Sequence, residues 1–115
     1  MGPMADRDNT STDLLEFELA SQGHRYRALL AGEEVAYSEV DPIANDGLLI
    51  KHTEVVPHFE GRGFGAALVR HMLEDARKLG RGVIPACPYA AAFIQRHPEY
   101  MDYVRESYRP VLERR

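Results

Sequence analysis

The feature that most constrains this chain is a glycine-rich turn, Gly61-x-Gly63-x-Gly65, between an apolar segment and a long amphipathic segment. Upstream, residues 48–55 open with three consecutive apolar residues, which is typical of a strand buried on both faces. Downstream, apolar residues recur at helical spacing over residues 63–79, which predicts an amphipathic helix of about four turns. This order indicates a βαβ unit whose two strands run parallel.

The flanking segments predict the remaining elements. After the helix we expect a fourth strand over residues 81–86, a helix from Pro88 to about Arg96, and a short turn from Pro98 to Tyr103. Before it, residues 25–30 and 34–40 predict two partner strands, which form an antiparallel meander with the third strand over 48–55. Asp41-Pro42 and residues 45–47 are predicted to form loops. Residues 14–20 predict either an edge strand or a short helix. The segment from Arg105 is expected to be a tail that either frays or docks through Leu112.

Together these elements predict one α/β domain over residues 13–115. Its sheet would be mixed and twisted, with an antiparallel meander, a parallel βαβ unit and helices packed on it. Residues 1–12 are polar and lack periodicity, so we expect a disordered N-terminal tail.

Composition limits the partners that we expect. The net charge of −4 argues against nucleic acid, which usually requires a basic surface. No apolar run approaches the ~18 residues of a membrane span, and no signal peptide is evident, so we expect a cytoplasmic protein with no membrane partner. The histidines lack the spacing of metal ligands, so we expect no bound metal. For the oligomeric state, we favour a monomer.

The glycine-rich turn suggests a phosphate ligand. The first N–H groups of a helix lack internal partners, and glycines allow an anion to approach the backbone closely. The turn lacks the Lys-Ser/Thr ending of a nucleotide P-loop, and Leu68 occupies the third glycine position of the dinucleotide pattern. A plain strand-to-helix turn and a nucleotide-phosphate site remain the alternatives.

The residues from Glu60 to Gly65 resemble the pyrophosphate loop of the GNAT acetyltransferases, of general form Gln/Arg-x-x-Gly-x-Gly/Ala, although Glu60 departs from its first position. Three further strings sharpen the resemblance: His52-Thr53-Glu54-Val55-Val56-Pro57, Ile84-Pro85-Ala86-Cys87-Pro88-Tyr89 and Arg96-His97-Pro98-Glu99-Tyr100. In this order and spacing, over about residues 25–104, they resemble the YjdJ-type family of small GNAT proteins.

That resemblance implies a GNAT-like fold, acetyl-CoA as co-substrate, and His52 with Cys87 as the reactive pair. The predicted fold agrees, because His52 lies near the carboxyl end of the third predicted strand and Cys87 just past that of the fourth. In a parallel unit these ends point the same way, and ligands of α/β sheets bind there. His52 could act as a general base, or be a half-buried strand histidine. Cys87 could accept the acetyl group as a thiolate, line the thioester pocket during direct transfer, or be a small core residue.

The remaining candidate residues divide between two parts of the cofactor. The pyrophosphate would lie on the loop and first helical turn, and the pantetheine arm beside the end of the third predicted strand, covered by one aromatic ring. These cofactor-binding candidates are Gly61, Arg62, Gly63, Phe64, Gly65 and Ala66 for the first part, and Glu54, Val55, Val56 and Tyr89 for the second. We therefore predict an N-acetyltransferase with an unidentified amine acceptor, a small molecule or a protein; the alternative is a non-catalytic acyl-CoA-binding or partner-binding module.

Overall fold

The computed structural model describes residues 12–113 of the 115-residue chain. Residues 1–11, on which most of the predicted disordered tail falls, lie outside this range. Thr12 lies within it, and its carbonyl accepts a hydrogen bond from the Leu15 N–H at 3.2 Å.

In the part of the chain that the structure describes, five strands form one sheet, and their order across the sheet follows their order along the chain. The strands are β1 (Glu16–Ala20), β2 (Arg25–Leu30), β3 (Glu33–Ile43), β4 (Gly47–Val55) and β5 (Gly82–Pro85). The first four pair antiparallel, and β5 pairs parallel to β4. The predicted mixed sheet is confirmed, and the segment over residues 14–20 supplies its edge strand.

The helical elements that lie fully within residues 12–113 are three α-helices and four short 3₁₀ turns. The helices are α1 (Phe64–Lys78), α2 (Pro88–Arg96) and α3 (Arg109–Glu113), and the turns are Ser21–Gly23, Pro57–Phe59, Pro98–Tyr103 and Glu106–Tyr108. The C-terminal segment docks, because Leu112 is only 2% exposed and its carbonyl accepts a hydrogen bond from Gln95 Nε2 at 3.0 Å.

Glycines with positive φ set both ends of α1. Gly63, at φ 81°, is the N-cap residue, and Gly80, at φ 71°, follows the helix. At the C-terminal end the Arg81 N–H donates to the Ala76 carbonyl at 2.7 Å and the Gly80 N–H donates to the Arg77 carbonyl at 3.0 Å. This is the hydrogen-bond pattern of a Schellman motif, which a glycine in the left-handed region favours.

The core lies between one face of the sheet and the helices. Alternation along β2 buries Tyr26 and Ala28 and turns Arg25 and Arg27 to the opposite face. The buried residues of α1 that pack here are Phe64, Leu68, Val69, Met72, Leu73 and Ala76, and α2 adds Ala90, Ala91, Phe93 and Ile94. Loss of one large side chain from such a core costs about 2–5 kcal/mol of unfolding free energy.

Strand β3 continues through Pro42, where the sequence predicts a loop. Pro42 pairs with Leu48 of β4, and β2 begins only at Arg25, which pairs with Glu39. Proline has no N–H to donate, but this position lies beyond the end of β2, so no ladder hydrogen bond is lost.

Candidate functional site

The parallel pair β4 and β5 separates halfway along β4. Glu39 pairs with His52 while Val40 pairs with Ile50, so Lys51 is an extra residue that forms a β-bulge. Pairing with β5 ends at Ile50, whose carbonyl accepts a hydrogen bond from the Cys87 N–H at 3.0 Å. The second half of β4 therefore pairs with β3 alone.

The separation leaves backbone groups of β4 facing a gap. The Val56 N–H donates to the Val35 carbonyl at 2.9 Å, so alternate residues at this end of β4 bond towards β3. Thr53 and Val55 lie between them, and their N–H and C=O groups point to the side where β5 has ended. These groups can pair with an extended ligand that carries amides.

The glycine-rich turn brings the N-terminus of α1 to the same gap. Gly61 and Gly63 have φ values of 85° and 81°, which side-chain-bearing residues rarely adopt. The first N–H to bond back into the helix is that of Ala67, which donates to the Gly63 carbonyl at 3.0 Å. The preceding N–H groups of Phe64, Gly65 and Ala66 lack an intrahelical partner and can bind an anion.

A pocket of about 360 Å³ joins these two features. This volume lies within the range of small-molecule sites. Its lining residues are Thr53, Glu54, Val55, Pro57, Phe59, Glu60, Gly61, Gly63, Phe64, Gly65 and Tyr89. The pocket thus connects the open edge of β4 with the amide-rich end of α1, and Tyr89 at the start of α2 forms its remaining wall.

His52, Glu54 and Tyr37 form a hydrogen-bonded group on the face of the sheet turned away from the helices. Glu54 Oε1 lies 3.0 Å from His52 Nε2 and accepts a hydrogen bond from the Tyr37 hydroxyl at 3.0 Å. The bonds from His52 and Tyr37 hold the pKa of Glu54 below its usual value, and the bond to Glu54 raises the pKa of Tyr37. Since an ionised carboxylate only accepts, His52 donates from Nε2, and the neutral imidazole then has its lone pair on Nδ1.

The side chain of Cys87 is only 2% exposed. It is the N-cap residue of α2 and belongs to the core cluster. Its backbone bond to Ile50 places it two residues from His52 along β4. Within residues 12–113, no hydrogen bond joins the side chains of His52 and Cys87.

The structure brings most of the predicted cofactor-binding residues together. Those that line the pocket are Glu54, Val55, Gly61, Gly63, Phe64, Gly65 and Tyr89. Val56 does not line the pocket. Its N–H donates to the Val35 carbonyl and its carbonyl accepts from the Phe59 N–H, so neither group is open to a ligand. Arg62 is exposed, with its guanidinium 5.5 Å from the Phe59 ring centroid, and Ala66 contributes its N–H rather than pocket surface.

Sequence reasoning missed three lining residues, Thr53, Pro57 and Phe59. It placed Glu60 in the loop without counting it among the cofactor-binding candidates, and Glu60 also lines the pocket. Thr53 could have been found, because strand alternation places it on the face opposite His52 and Glu54. Phe59 had a weaker signal, an aromatic residue in a loop two positions after a proline.

Within residues 12–113, no helix has the length and apolar character needed to cross a lipid bilayer. The same residues contain no group of three or more His, Cys, Asp or Glu side chains arranged to hold a metal ion.

Comparison with known proteins agrees with this geometry. A search of curated proteins finds no match for the chain. A GCN5-like candidate N-acetyltransferase from Staphylococcus aureus, solved by NMR, superposes with a TM-score of 0.62 at 22% identity, over 80% of this chain and 89% of that one. This likeness supports the fold alone. The family model for GCN5-related N-acetyltransferases matches residues 25–103, and the narrower YjdJ-type assignment stays a prediction. The chain therefore belongs to the GCN5-related N-acetyltransferase family.

Proposed function

We propose that the protein binds acetyl-CoA and transfers its acetyl group to an amine. The observation that carries this proposal is the pocket itself, which joins the N–H groups at the start of α1 to the backbone groups of β4 that face the gap. A ligand that fits both needs a phosphate part and an extended amide-bearing part, and coenzyme A has this construction.

The cofactor would bind along the length of the pocket. The N–H groups of Phe64, Gly65 and Ala66 would hold the pyrophosphate. The pantetheine amides would pair with the backbone of Thr53 and Val55, in the manner of a short added strand. Tyr89, which is 38% exposed, would cover the arm.

This placement would direct the thioester towards the closed end of the gap, where the Cys87 N–H bonds to the Ile50 carbonyl, two residues before His52. Neither His52 nor Cys87 lines the pocket itself, so both would act at its margin. The acceptor nitrogen would attack the thioester carbonyl carbon, the C–S bond would break, and the thiolate of coenzyme A would leave. His52 Nδ1 would take the proton that the amine loses. Glu54 and Tyr37 would hold the imidazole in the tautomer that leaves Nδ1 free.

We favour direct transfer over an acetyl-cysteine intermediate. Cys87 is 2% exposed and packed in the core, and a thiolate nucleophile needs access and a stabilising neighbour. In direct transfer Cys87 would only line the wall beside the thioester.

The proposal is tested by mixing the purified protein with acetyl-CoA and a panel of amines, and measuring released thiol together with calorimetric binding. We expect acetyl-CoA to bind and at least one amine to accelerate thiol release. Binding without turnover on any amine would favour the acyl-CoA-binding module instead. ADP binding as tightly as acetyl-CoA would favour the nucleotide-phosphate site, and no binding of either would overturn the proposal.

Alanine variants separate the two mechanisms. We expect His52→Ala to lower turnover roughly 10²-fold, as for loss of a general base. His24→Ala is the matched control, because His24 Nδ1 also lies 2.8 Å from a carboxylate oxygen, of Asp41, away from the pocket. Cys87→Ala should keep most of its turnover, and mass spectrometry should find no acetyl adduct on the parent protein. An adduct that disappears in Cys87→Ala would establish the cysteine route.

A further inference from the structure

A second concave site lies at the opposite end of the sheet from the cofactor pocket. It has a volume of about 530 Å³ and is formed by the end of α1, the start of β5 and the turns that follow α2. Its lining residues are Arg77, Gly80, Arg81, Gly82, Asp102, Tyr103, Val104, Arg105, Glu106 and Arg109, and we call it the arginine pocket. Helix α1 separates the two sites, and its 15 residues span about 22 Å.

Four arginines and two carboxylates line the arginine pocket, although the chain as a whole carries a net charge of −4. Within residues 12–113 none of these six side chains takes part in an ion pair. The ion pairs recorded there all belong to residues of β1 to β4 and His24. Four arginines against two carboxylates leave the lining of the pocket with an excess of positive charge, which favours an anion.

Two of the arginines are fixed by backbone carbonyls. Arg109 donates from Nε to the Val104 carbonyl at 3.1 Å and from Nη2 to the Asp102 carbonyl at 3.3 Å. Arg105 Nη2 donates to the carbonyls of Ala44 and Asn45, at 2.8 Å and 3.1 Å. These bonds hold the side chains in place without neutralising their charge, so little side-chain entropy remains to be lost when an anion binds.

The strands are shaped to admit Arg105. Gly47 of β4 pairs with Gly82 of β5, so neither strand has a side chain at this paired position. A Cβ on Gly47 would stand 2.2 Å from Arg105 Nη2, and a Cβ on Gly82 would stand 3.4 Å from the Arg105 Cα. The paired glycines form a slot that positions this arginine at the pocket.

The other two arginines are available to a ligand. The guanidinium groups of Arg77 and Arg81 make no hydrogen bond within residues 12–113, and that of Arg77 lies 5.1 Å from the Tyr103 ring centroid. Arg77 also complements the dipole at the C-terminal end of α1, but this role accounts for only one of the four charges.

We propose that the arginine pocket binds a small polyanion through phosphate or carboxylate groups, at a site separate from the acetyl-CoA pocket. Guanidinium groups pair with both kinds of oxyanion through two parallel N–H···O bonds, and four of them suit a ligand that carries more than one anionic group. The volume suits a small molecule rather than a macromolecular surface.

The test uses amide NMR with inorganic pyrophosphate as the phosphate probe and citrate as the carboxylate probe. The Gly80 and Gly82 signals report on the arginine pocket, while those of Gly61 and Gly63 report separately on the loop before α1. We expect saturable shifts of Gly80 and Gly82 with at least one probe, and the stronger probe identifies the preferred oxyanion. Shifts confined to Gly61 and Gly63, or no saturable shift of Gly80 and Gly82 with either probe, would overturn the proposal.

The double variant Arg77→Gln/Arg81→Gln removes two charges whose loss breaks no hydrogen bond among the residues that the structure describes. We expect it to weaken binding at Gly80 and Gly82 about tenfold or more. Lys78→Gln/Arg96→Gln is the matched control, since it removes two exposed positive charges outside the pocket, and it should change binding less than about twofold. If both variants weaken anion binding equally, only the overall charge of the protein attracts the anion, which would contradict a specific site in the arginine pocket.

Discussion

Gly65 and Tyr89 are in direct contact at the wall of the pocket that we propose for acetyl-CoA. A Cβ built on Gly65 would stand 2.2 Å from the Tyr89 hydroxyl oxygen and 2.9 Å from Cγ2 of Val55. Gly65 lies in the first turn of α1 and does not have a positive φ, so the contact rather than the backbone conformation requires glycine here. The ring of Tyr89 is therefore held against the helix end that we assign to the pyrophosphate.

Gly65→Ala should displace the Tyr89 ring and weaken acetyl-CoA binding by about tenfold, since overpacking forces neighbouring side chains to move. Calorimetry measures the affinity, and Gly65→Ala is made both in the parent protein and in the Tyr89→Ala variant. Because the two residues touch, we expect Gly65→Ala to cost less in the Tyr89→Ala protein. The same loss of affinity in both backgrounds would contradict this coupling.

Gly63→Val should weaken acetyl-CoA binding by about tenfold or more, because a β-branched residue is strained at φ 81° and would alter the amide-rich end of α1. Gly80→Val is the matched control: it also has positive φ, and like Gly63 it has no heavy atom closer than 3.9 Å to a built Cβ. Both should lower the unfolding free energy by about 1–2 kcal/mol. Only Gly63→Val should lower the affinity measured by calorimetry.

Glu60→Gln should strengthen acetyl-CoA binding by about two- to fivefold, because it removes a negative charge from a pocket wall proposed to face a pyrophosphate. Within residues 12–113 the Glu60 carboxylate makes no hydrogen bond or ion pair, so its loss costs no structural contact. Raising the salt concentration should reduce the gain through screening. Unchanged or weaker binding would place the phosphates away from Glu60.

Glu34→Gln should destabilise the protein at pH 7 by about 0.5–1 kcal/mol and have progressively less effect in acid. Partial burial raises the pKa of Glu34, but hydrogen bonds from Arg25 and Arg27 outweigh it and lower the pKa below 4.5. A lowered folded-state pKa stabilises the fold above the unfolded value and is lost as the pH falls through the folded value. Denaturant titrations at pH 7 and pH 3 should show the difference shrinking, while Glu33→Gln shows no such trend.

The sequence predicts the fold wherever one pattern dominates a segment. Helix α1 was clear because its apolar spacing runs uninterrupted between glycines that end it on both sides. The extension of β3 through Pro42 could not be predicted, because a proline normally indicates a loop. A strand accepts a proline where its missing N–H faces no partner, and here that depends on where β2 begins. The bulge at Lys51 depends on the pairing of β3 with β4, which no local pattern in either strand specifies.

The site shows the same division between local and tertiary information. The contact of His52 with Glu54 follows from strand alternation, since residues two apart share a face. The bond from Tyr37 to the same carboxylate needs the register of two strands, and the burial of Cys87 needs the packing of α2. The arginine pocket gave no signal, because its four arginines are spread over residues 77–109 and meet only in the folded chain.

The bulge at Lys51 divides β4 into two halves that should differ in how readily their amide hydrogens exchange with solvent. The first half is paired on both sides, so exchange there requires the sheet itself to open. The N–H groups of Thr53 and Val55 face the gap and should exchange early. A cofactor that pairs with them would slow the hydrogen exchange of these two amides far more than that of the rest of the strand. The cofactor would then extend the sheet as well as fill the pocket.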